Sequence, residues 1–347
     1  MRGEMMAEVK SSVDKNRTIL REAVPLNSPL SMYIEPTRVC NFKCFYCMHS
    51  TRGQKNGALE QTGFSLEHMD MQLYQKIVED IMNFSVIPKR ICFSGLGEPL
   101  TNPNLPAMIQ MLREYGFQGR IDVISNGSLL TPERSDALIK AGISRIQISV
   151  QGLTKEKYQE ICQVPMDLEQ LKENIQYFYE HRQNATIYVK IIDSILNGKE
   201  EEALFYQMFG EICNTIYVEH LVIMEQQMGN HGREIDTTRN LMGELVEKRF
   251  VCGVMFYFLQ VNIDGETFPC STPGLPNSFS MGSVKEKSLL EIWNDKKRNR
   301  MIRKNLIDGY ASIPACKTCS SCIAIADESE YLDDCREEIL TRFPLIQ

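Results

Sequence analysis

The sequence lacks the features that would carry the chain out of the cell or into a membrane. Its first residues, 1–6, contain no apolar core of a secretory signal. The apolar stretch 251–261 is too short to span a bilayer, which requires roughly 20 residues. We therefore expect a cytoplasmic protein, and we do not expect a disulfide framework, because such frameworks belong mainly to exported proteins.

The sequence also lacks an excess of basic residues. Lys and Arg number 38 against 45 Asp and Glu, so the formal net charge is −7 and the pI is about 5.5. Proteins that bind nucleic acid usually carry a basic surface, so the balance argues against a nucleic-acid partner. At 347 residues the chain is long enough for one large domain and a smaller one.

Cysteine, by contrast, is abundant, and its 12 copies fall mainly into two groups, 40–47 and 252–335. In the first group, Cys40, Cys44 and Cys47 lie within eight residues. Three thiols this close can converge on one inorganic centre with little loss of chain entropy. Without a fourth cysteine nearby, they suggest a [4Fe–4S] cluster with one iron left open. A zinc knuckle or three buried free thiols is the alternative.

This CxxxCxΦC spacing, with Tyr46 as the aromatic residue, resembles the signature of the radical S-adenosylmethionine (SAM) superfamily. The resemblance implies that SAM binds the open iron through its amino and carboxylate groups. It also implies that the reduced cluster cleaves SAM to a 5′-deoxyadenosyl radical, with a reductase or a flavodoxin-type protein as electron donor.

Short apolar runs alternate with amphipathic segments from residue 31 to residue 222. The predicted strands are 32–34, 90–93, 121–124, 146–150, 186–192 and 217–222, and the predicted helices are 71–83, 106–115, 132–141, 168–179 and 200–212. Strands followed by helices indicate a parallel sheet covered by helices. The number of strands fits the partial (βα)6 barrel of the superfamily, and ligands of such sheets bind at the carboxyl ends of the strands.

Polar residues follow several of these strands. Ser94-Gly95-Leu96-Gly97-Glu98-Pro99 resembles the glycine–glycine–glutamate motif of the family, and its glycines allow a ligand to approach the backbone. The resemblance implies that the SAM site includes Tyr46, Gly95, Gly97, Glu98, Ser125, Asn126 and Ser149. Lys190 lies within an apolar strand and either faces SAM or substrate, because a buried Lys needs a partner, or extends outward to solvent.

The second cysteine group resembles the SPASM/twitch extension of radical SAM enzymes. Cys252, Gly265 and Cys270 fit its first half, Asp264-Gly265 indicates a hairpin, and Cys316, Cys319 and Cys322 follow. A full SPASM domain has seven cysteines, whereas this region has six. The resemblance then implies at least one auxiliary [4Fe–4S] cluster on Cys252, Cys270, Cys316 and Cys319, with Cys322 able to replace Cys316 or Cys319. A second cluster on Cys316, Cys319, Cys322 and Cys335, and a zinc ribbon, are the alternatives.

The expected architecture is therefore α/β: an N-terminal arm (1–30), a partial (βα)6 radical SAM barrel (31–225), a connecting segment (226–250) and a small α+β SPASM/twitch domain (251–347). Oxidation or epimerisation of a small polar substrate, such as a sugar, an aminocyclitol or a nucleoside-like compound, is the first functional hypothesis. Cys322 and Cys335 are the candidate hydrogen donors of an epimerisation. The other hypotheses are maturation of a ribosomally made peptide and, more remotely, a non-enzymatic electron carrier.

The loops 51–68 and 225–245, with His231 and Arg233, are candidates for substrate contact, although each of their residues can equally be solvated.

Overall fold

A computed structural model describes residues 7–222, 236–317 and 319–345 of the chain. Within them, ten strands form one continuous sheet. The strands are β1 Glu8–Val9, β2 Ser31–Ile34, β3 Arg90–Phe93, β4 Arg120–Ser125, β5 Arg145–Val150, β6 Thr186–Ile192, β7 Thr215–Glu219, β8 Phe258–Val261, β9 Glu266–Phe268 and β10 Gly282–Ser283.

Strands β2 to β7 are neighbours in sequence order and pair in parallel, with helices between them on the outer face. The helices are α1 Leu20–Ala23, α2 Ala58–Thr62, α3 Met71–Met82, α4 Leu105–Glu114, α5 Pro132–Ala141, α6 Lys155–Cys162, α7 Leu168–His181, α8 Lys199–Phe209, α9 Val254–Tyr257, α10 Leu289–Trp293, α11 Lys296–Asp308, α12 Ser321–Ala324 and α13 Arg336–Thr341. This is the expected partial barrel, and the predicted fold class is confirmed.

Side-chain alternation along the strands separates an apolar outer face from a polar interior. In β5, Ile146, Ile148 and Val150 join the main core under the helices, whereas Arg145 and Gln147 line the interior. Successive side chains of a strand point to opposite faces, so the pattern fixes which residues can meet a ligand inside the barrel.

The N-terminal arm is more closely integrated than expected. Its described part contains the short helix α1 and strand β1, and β1 pairs in parallel with β7 at the edge of the sheet. The extended segment between β1 and α1 is held by two ion pairs: Asp14 pairs with Arg120, and Arg17 pairs with Glu330. These ion pairs lie between residues far apart in sequence, so local periodicity does not reveal them.

The C-terminal region continues the barrel sheet. Strand β8 pairs in parallel with β2, and β9 and β10 follow in antiparallel order. The predicted hairpin at Asp264-Gly265 joins β8 to β9, and Gly265 has φ of +86°, which favours glycine. In the described parts of the chain, no helix is long and apolar enough to cross a membrane.

Candidate active site and iron–sulfur centres

The first cysteine loop follows β2 and is fixed in place by α6. The backbone N–H groups of Lys43 and Phe45 donate to the carbonyls of Cys162 and Ile161, each at 2.9 Å. Arg52 donates to the carbonyl of Cys40 at 2.5 Å. These contacts fix the main chain of the loop that carries the three thiols.

The three thiols of this loop share one environment. Burial, together with the neighbouring Glu98 and Cys47, raises the pKa of Cys40 to about 12. A hydrogen bond with Cys162, burial, and the nearby Cys47 and Cys40 raise the pKa of Cys44. Crowded thiols of this kind stay neutral unless a cation compensates their charge. The donor set of three thiols therefore fits a [4Fe–4S] cluster that leaves one iron open.

The two glycines after β3 are required by packing against the cysteine loop. A Cβ on Gly97 would lie 2.4 Å from the carbonyl oxygen of Thr37 and 2.6 Å from that of Val39. A Cβ on Gly95 would lie 2.6 Å from Cγ of Glu35. Both glycines therefore admit the chain segment leading to Cys40. The approach of a ligand to their backbone stays a prediction.

Glu98 connects this glycine loop to the end of β4. It is 3% exposed, and its carboxylate accepts hydrogen bonds from the Leu100 N–H at 2.9 Å, the Ser125 hydroxyl at 2.7 Å and the Asn126 N–H at 2.7 Å. Asn126 in turn donates to Asn41, inside the cysteine loop, at 2.9 Å. Three predicted site residues, Glu98, Ser125 and Asn126, are thus joined in one hydrogen-bond network. Asn41, the neighbour of Cys40, belongs to the same network.

The remaining predicted SAM-site residues lie on β5 and β6 or face them. The Tyr46 hydroxyl donates to Gln151 at 2.7 Å, and the Gln151 amide donates to the carbonyl of Ser149 at 3.1 Å. Ser149 is opposite Lys190 in the register of β5 and β6. The side chain of Lys190 lines the barrel interior, where Glu219 on β7 binds its ammonium at 2.6 Å. Of the two orientations that the sequence left open for Lys190, the structure has the inward one, with Glu219 as an unforeseen partner. Contact of Lys190 with SAM or substrate stays a prediction.

Five thiols gather in the second cysteine region. Burial raises the pKa of Cys252, as do, in decreasing order, Cys322, Cys270, Cys316 and Cys319. Burial also raises the pKa of Cys270 and that of Cys322 to about 11 each. The local chain is well anchored, because Asn305 bonds both the N–H and the carbonyl of Cys252, at 3.0 and 2.9 Å. One more thiol is therefore present than a four-thiolate cluster needs.

Cys335 lies in a different environment. Burial raises the pKa of its thiol, and the charged groups that act on it are Arg21, Asp334 and Glu338. Its Sγ approaches the carbonyl of Leu332 at 3.6 Å. The structure thus brings Cys322 to the other cysteines of the region and places Cys335 beside α1 and α13.

No three His, Cys, Asp or Glu side chains among the described residues converge closely enough for a single metal ion. A single zinc ion holds its sulfur ligands at about 2.3 Å, whereas a four-iron cluster spreads its thiolates further apart.

A buried ionic network that the sequence did not reveal links the two cysteine regions. Arg38 donates to Glu35 at 3.0 Å and to Asp264 in the β8–β9 hairpin at 2.8 Å. Glu35 also accepts the N–H of Leu96 at 2.9 Å, and that of Ile263 at 3.3 Å. Burial raises the pKa of Glu35, and Arg38 opposes that effect. The network fixes the glycine loop relative to the C-terminal hairpin.

A cavity of about 400 Å³ occupies the barrel interior. At one end it reaches Ser94 and Gly95, and at another it reaches Ser271 and Ser321, each adjacent in sequence to a cysteine of the second region. Its wall also includes Gln147. The cavity therefore connects the predicted SAM site with the predicted auxiliary cluster.

Of the two loops suggested for substrate contact, 51–68 contributes α2 and packs Leu59 against Met48 and Leu96. In the second loop, residues 236–245 are described and residues 225–235 are not, so His231 and Arg233 lie outside the described residues. Contact of either loop with substrate stays a prediction.

Comparison with known proteins agrees with this geometry. The model of the radical SAM superfamily matches residues 34–203, and that of the SPASM iron–sulfur cluster-binding domain matches residues 252–322. The chain is therefore a radical SAM enzyme with a C-terminal SPASM domain. SAM and [4Fe–4S] clusters are the cofactors of this class.

Individual relatives are distant. The tungsten-containing aldehyde ferredoxin oxidoreductase cofactor-modifying protein of Pyrococcus furiosus is 24% identical over 83% of this chain and 86% of its own length. SuiB of Streptococcus suis bound to S-adenosylmethionine has a TM-score of 0.57 at 15% identity, over 91% of this chain and 79% of SuiB. BtrN in complex with AdoMet and 2-DOIA has a TM-score of 0.52 at 21% identity, over 84% of this chain and 92% of BtrN. At such identities the structural likeness concerns the fold alone.

Proposed function

We propose that this enzyme removes a hydrogen atom from a small polar molecule bound inside the barrel, and that the substrate is then oxidised or epimerised at that carbon. The observation that carries the proposal is the cavity of about 400 Å³ between Ser94–Gly95 and Ser271–Ser321. Its volume is in the range typical of small-molecule sites. Its wall contains hydroxyl, amide and charged side chains, which suit a polar ligand.

The cavity lies between the sites proposed for the two kinds of cluster. Cys40, Cys44 and Cys47 would hold the SAM-binding cluster, and the segments at Gly95–Gly97, Ser125–Asn126 and Ser149, with Tyr46, would surround SAM. When bound, the reduced cluster and SAM supply a 5′-deoxyadenosyl radical, with the electron coming from a reductase or flavodoxin-type donor. An electron released by the substrate would leave toward the auxiliary cluster beyond Ser271.

For the auxiliary cluster we propose Cys252, Cys270, Cys316 and Cys319 as ligands. Cys322 then remains as a thiol beside Ser321, which lines the cavity. In an epimerisation this thiol is positioned better than Cys335 to return a hydrogen atom to the substrate radical, because Cys335 lies among Arg21, Asp334 and Glu338. The thiyl radical left on Cys322 would be reduced back to the thiol by one electron from the reductase or flavodoxin-type donor and one proton from solvent. In an oxidation no hydrogen is returned, and Cys322 has no such role.

Peptide maturation is the second candidate. Its support is the structural likeness to SuiB. The structure of SuiB bound to the precursor peptide SuiA matches this chain with a TM-score of 0.53. A cavity of about 400 Å³ has room for a few side chains. A peptide substrate would therefore have to insert one short segment into the barrel and leave the rest outside.

The test uses deuterated extracts. Metabolites and peptides from cells grown in heavy water are separated by size, and each fraction is incubated anaerobically with the reconstituted enzyme, SAM and a reductant. We expect the low-mass fraction to yield deuterated 5′-deoxyadenosine, detected by mass spectrometry. The triple variant Cys40→Ala/Cys44→Ala/Cys47→Ala serves as the control that should yield none. Deuterium transfer from the peptide fraction alone would overturn the small-molecule proposal in favour of the peptide maturase.

A further inference from the structure

Cationic side chains are concentrated at the amino ends of three neighbouring barrel strands. Arg90 begins β3, Arg120 begins β4 and Arg145 begins β5, and all three line the cavity. Asp122, a carboxylate that lies between them, is fully buried. We call this group of three arginines and Asp122 the cavity floor.

Most of the charges around the floor are already paired. Arg90 donates to Asp122 at 2.6 Å. Arg120 makes two hydrogen bonds of 2.9 Å with Asp14 of the N-terminal arm. Higher in the cavity, Lys190 is paired with Glu219 at 2.6 Å. Within each pair the opposite charges neutralise each other, so these cations have little capacity to bind a further anion.

Unlike Arg90 and Arg120, Arg145 donates no hydrogen bond to a carboxylate of the described residues. Its closest anionic atom is an oxygen of Asp122 at 3.7 Å, which is too long for a hydrogen bond. Its buried Nε has no hydrogen-bond partner, although the side chain is only 14% exposed. Buried polar groups in native proteins are nearly always satisfied, and a buried cation needs a paired anion.

The surroundings make the charge of Arg145 costly. Burial lowers the pKa of this guanidinium, and Arg120 and Arg90 lower it further, although Asp122 and, to a smaller extent, Asp14 oppose the effect. The ring of Tyr188 lies 5.9 Å from its Cζ and provides a flat wall on one side. An anion bound next to Arg145 would stabilise its charged state.

We propose that Arg145 binds an anionic group of the substrate, a carboxylate or a phosphate, at the floor of the barrel. The proposal rests on the proposed function, because it assigns the substrate of that same cavity to the class of small anionic molecules. A guanidinium offers two parallel N–H donors that match the oxygens of either group. With its anionic end at Arg145, the substrate would extend along Gln147 toward Ser94 and Gly95, where the hydrogen is removed.

The test measures probe binding to the anaerobically reconstituted protein by isothermal titration calorimetry. Glucuronate and glucose 6-phosphate serve as the carboxylate and phosphate probes, and glucose is the neutral one. We expect at least one anionic probe to bind about tenfold more tightly than glucose. The Arg145→Gln variant should lose that difference, and Arg145→Lys should keep part of it, because it retains the charge without the two-donor geometry.

Lys89→Gln is the matched control. It removes one positive charge from the cavity rim, where Lys89 is exposed and donates to Thr18 at 3.1 Å, so anion binding should persist. Equal affinity of the wild type for all three probes, or equal loss of the anion preference in Lys89→Gln and Arg145→Gln, would overturn the proposal. The comparison of probes on the wild type decides the matter even if a variant fails to fold. Failure of the proposed function is a separate result, seen as absence of deuterium transfer from the low-mass fraction.

Discussion

The carboxylate of Glu98 accepts the backbone N–H of Asn126 at 2.7 Å, and this bond joins the loop after β3 to the carboxyl end of β4. Both residues are at least nine-tenths buried. Because Asn126 also bonds Asn41 of the first cysteine loop, the bond connects three segments that were each predicted to contact SAM. Glu98 therefore fixes these three segments relative to one another.

Replacing Glu98 by Gln should weaken SAM binding about tenfold or more, because an amide group cannot accept all three hydrogen bonds and directs an N–H at one of the donors. The measurement is the effect of SAM on the electron paramagnetic resonance spectrum of the reduced cluster. Ser125→Ala removes only one of the three donors and should have a smaller effect. Wild-type affinity in Glu98→Gln would show that the network does not shape the site.

Replacing Arg38 by Met should lower the free energy of unfolding by about 3–5 kcal/mol, since Glu35 would remain buried without its cation. The two side chains are 2% and 1% exposed. Denaturant titration of the anaerobic protein measures the change. The double variant Glu35→Gln/Arg38→Met should recover part of the loss, because no unpaired charge is left; a double variant as unstable as Arg38→Met would contradict this account.

Much of the fold followed from local sequence patterns. The runs 90–93 and 186–192 are strands within the predicted bounds, because a strand buried on both faces of a helix-covered parallel sheet has a nearly continuous apolar sequence. The pairing of β8 with β2 was not foreseen. It joins segments more than two hundred residues apart, and local periodicity carries no information about such a contact.

The candidate site likewise contains residues that could be predicted from the sequence and residues that could not. The cysteine loop and the glycine loop were evident because each is a short, contiguous motif. Glu219 was missed as the partner of Lys190 because the pairing depends on the register of β6 and β7. Arg90, Arg120 and Arg145 can be picked out in the sequence, since each is an Arg at the start of an apolar strand. That the three side chains lie close together follows only from the order of the strands in the sheet.

The wild-type protein should contain about eight irons per chain after anaerobic reconstitution, in one SAM-binding and one auxiliary [4Fe–4S] cluster. The five thiols around Cys252 suffice for one four-thiolate cluster and leave one thiol over. The double variant Cys252→Ala/Cys270→Ala leaves only three of these thiols and should therefore lower the count to about four, whereas the control Cys335→Ser should keep the wild-type count. Iron analysis and Mössbauer spectroscopy measure the result, and about twelve irons in the wild type would establish a second auxiliary cluster.

His220, at the end of β7, should make stability depend on pH. Its Nδ1 lies 2.5 Å from a carboxylate oxygen of Asp193, and its Nε2 lies 2.8 Å from the carbonyl of Asp236. Two acceptors are satisfied together only when both ring nitrogens carry a proton. Burial lowers the pKa of His220, but the hydrogen bonds to Asp236 and Asp193 outweigh it, so the net pKa is raised.

A raised pKa means that the folded protein binds this proton more tightly than the unfolded chain does. The resulting stabilisation is complete below the unfolded value of about 6.5 and is lost as pH rises through the folded value. The difference in apparent unfolding temperature between the wild type and His220→Gln should therefore be largest near pH 6 and shrink toward about pH 9. Asp193→Asn, which keeps the imidazole and removes its anionic partner, should reduce the same pH dependence. A difference between wild type and His220→Gln that stays constant over this range would mean that the imidazole is neutral in the folded protein and bonds only one of its two acceptors.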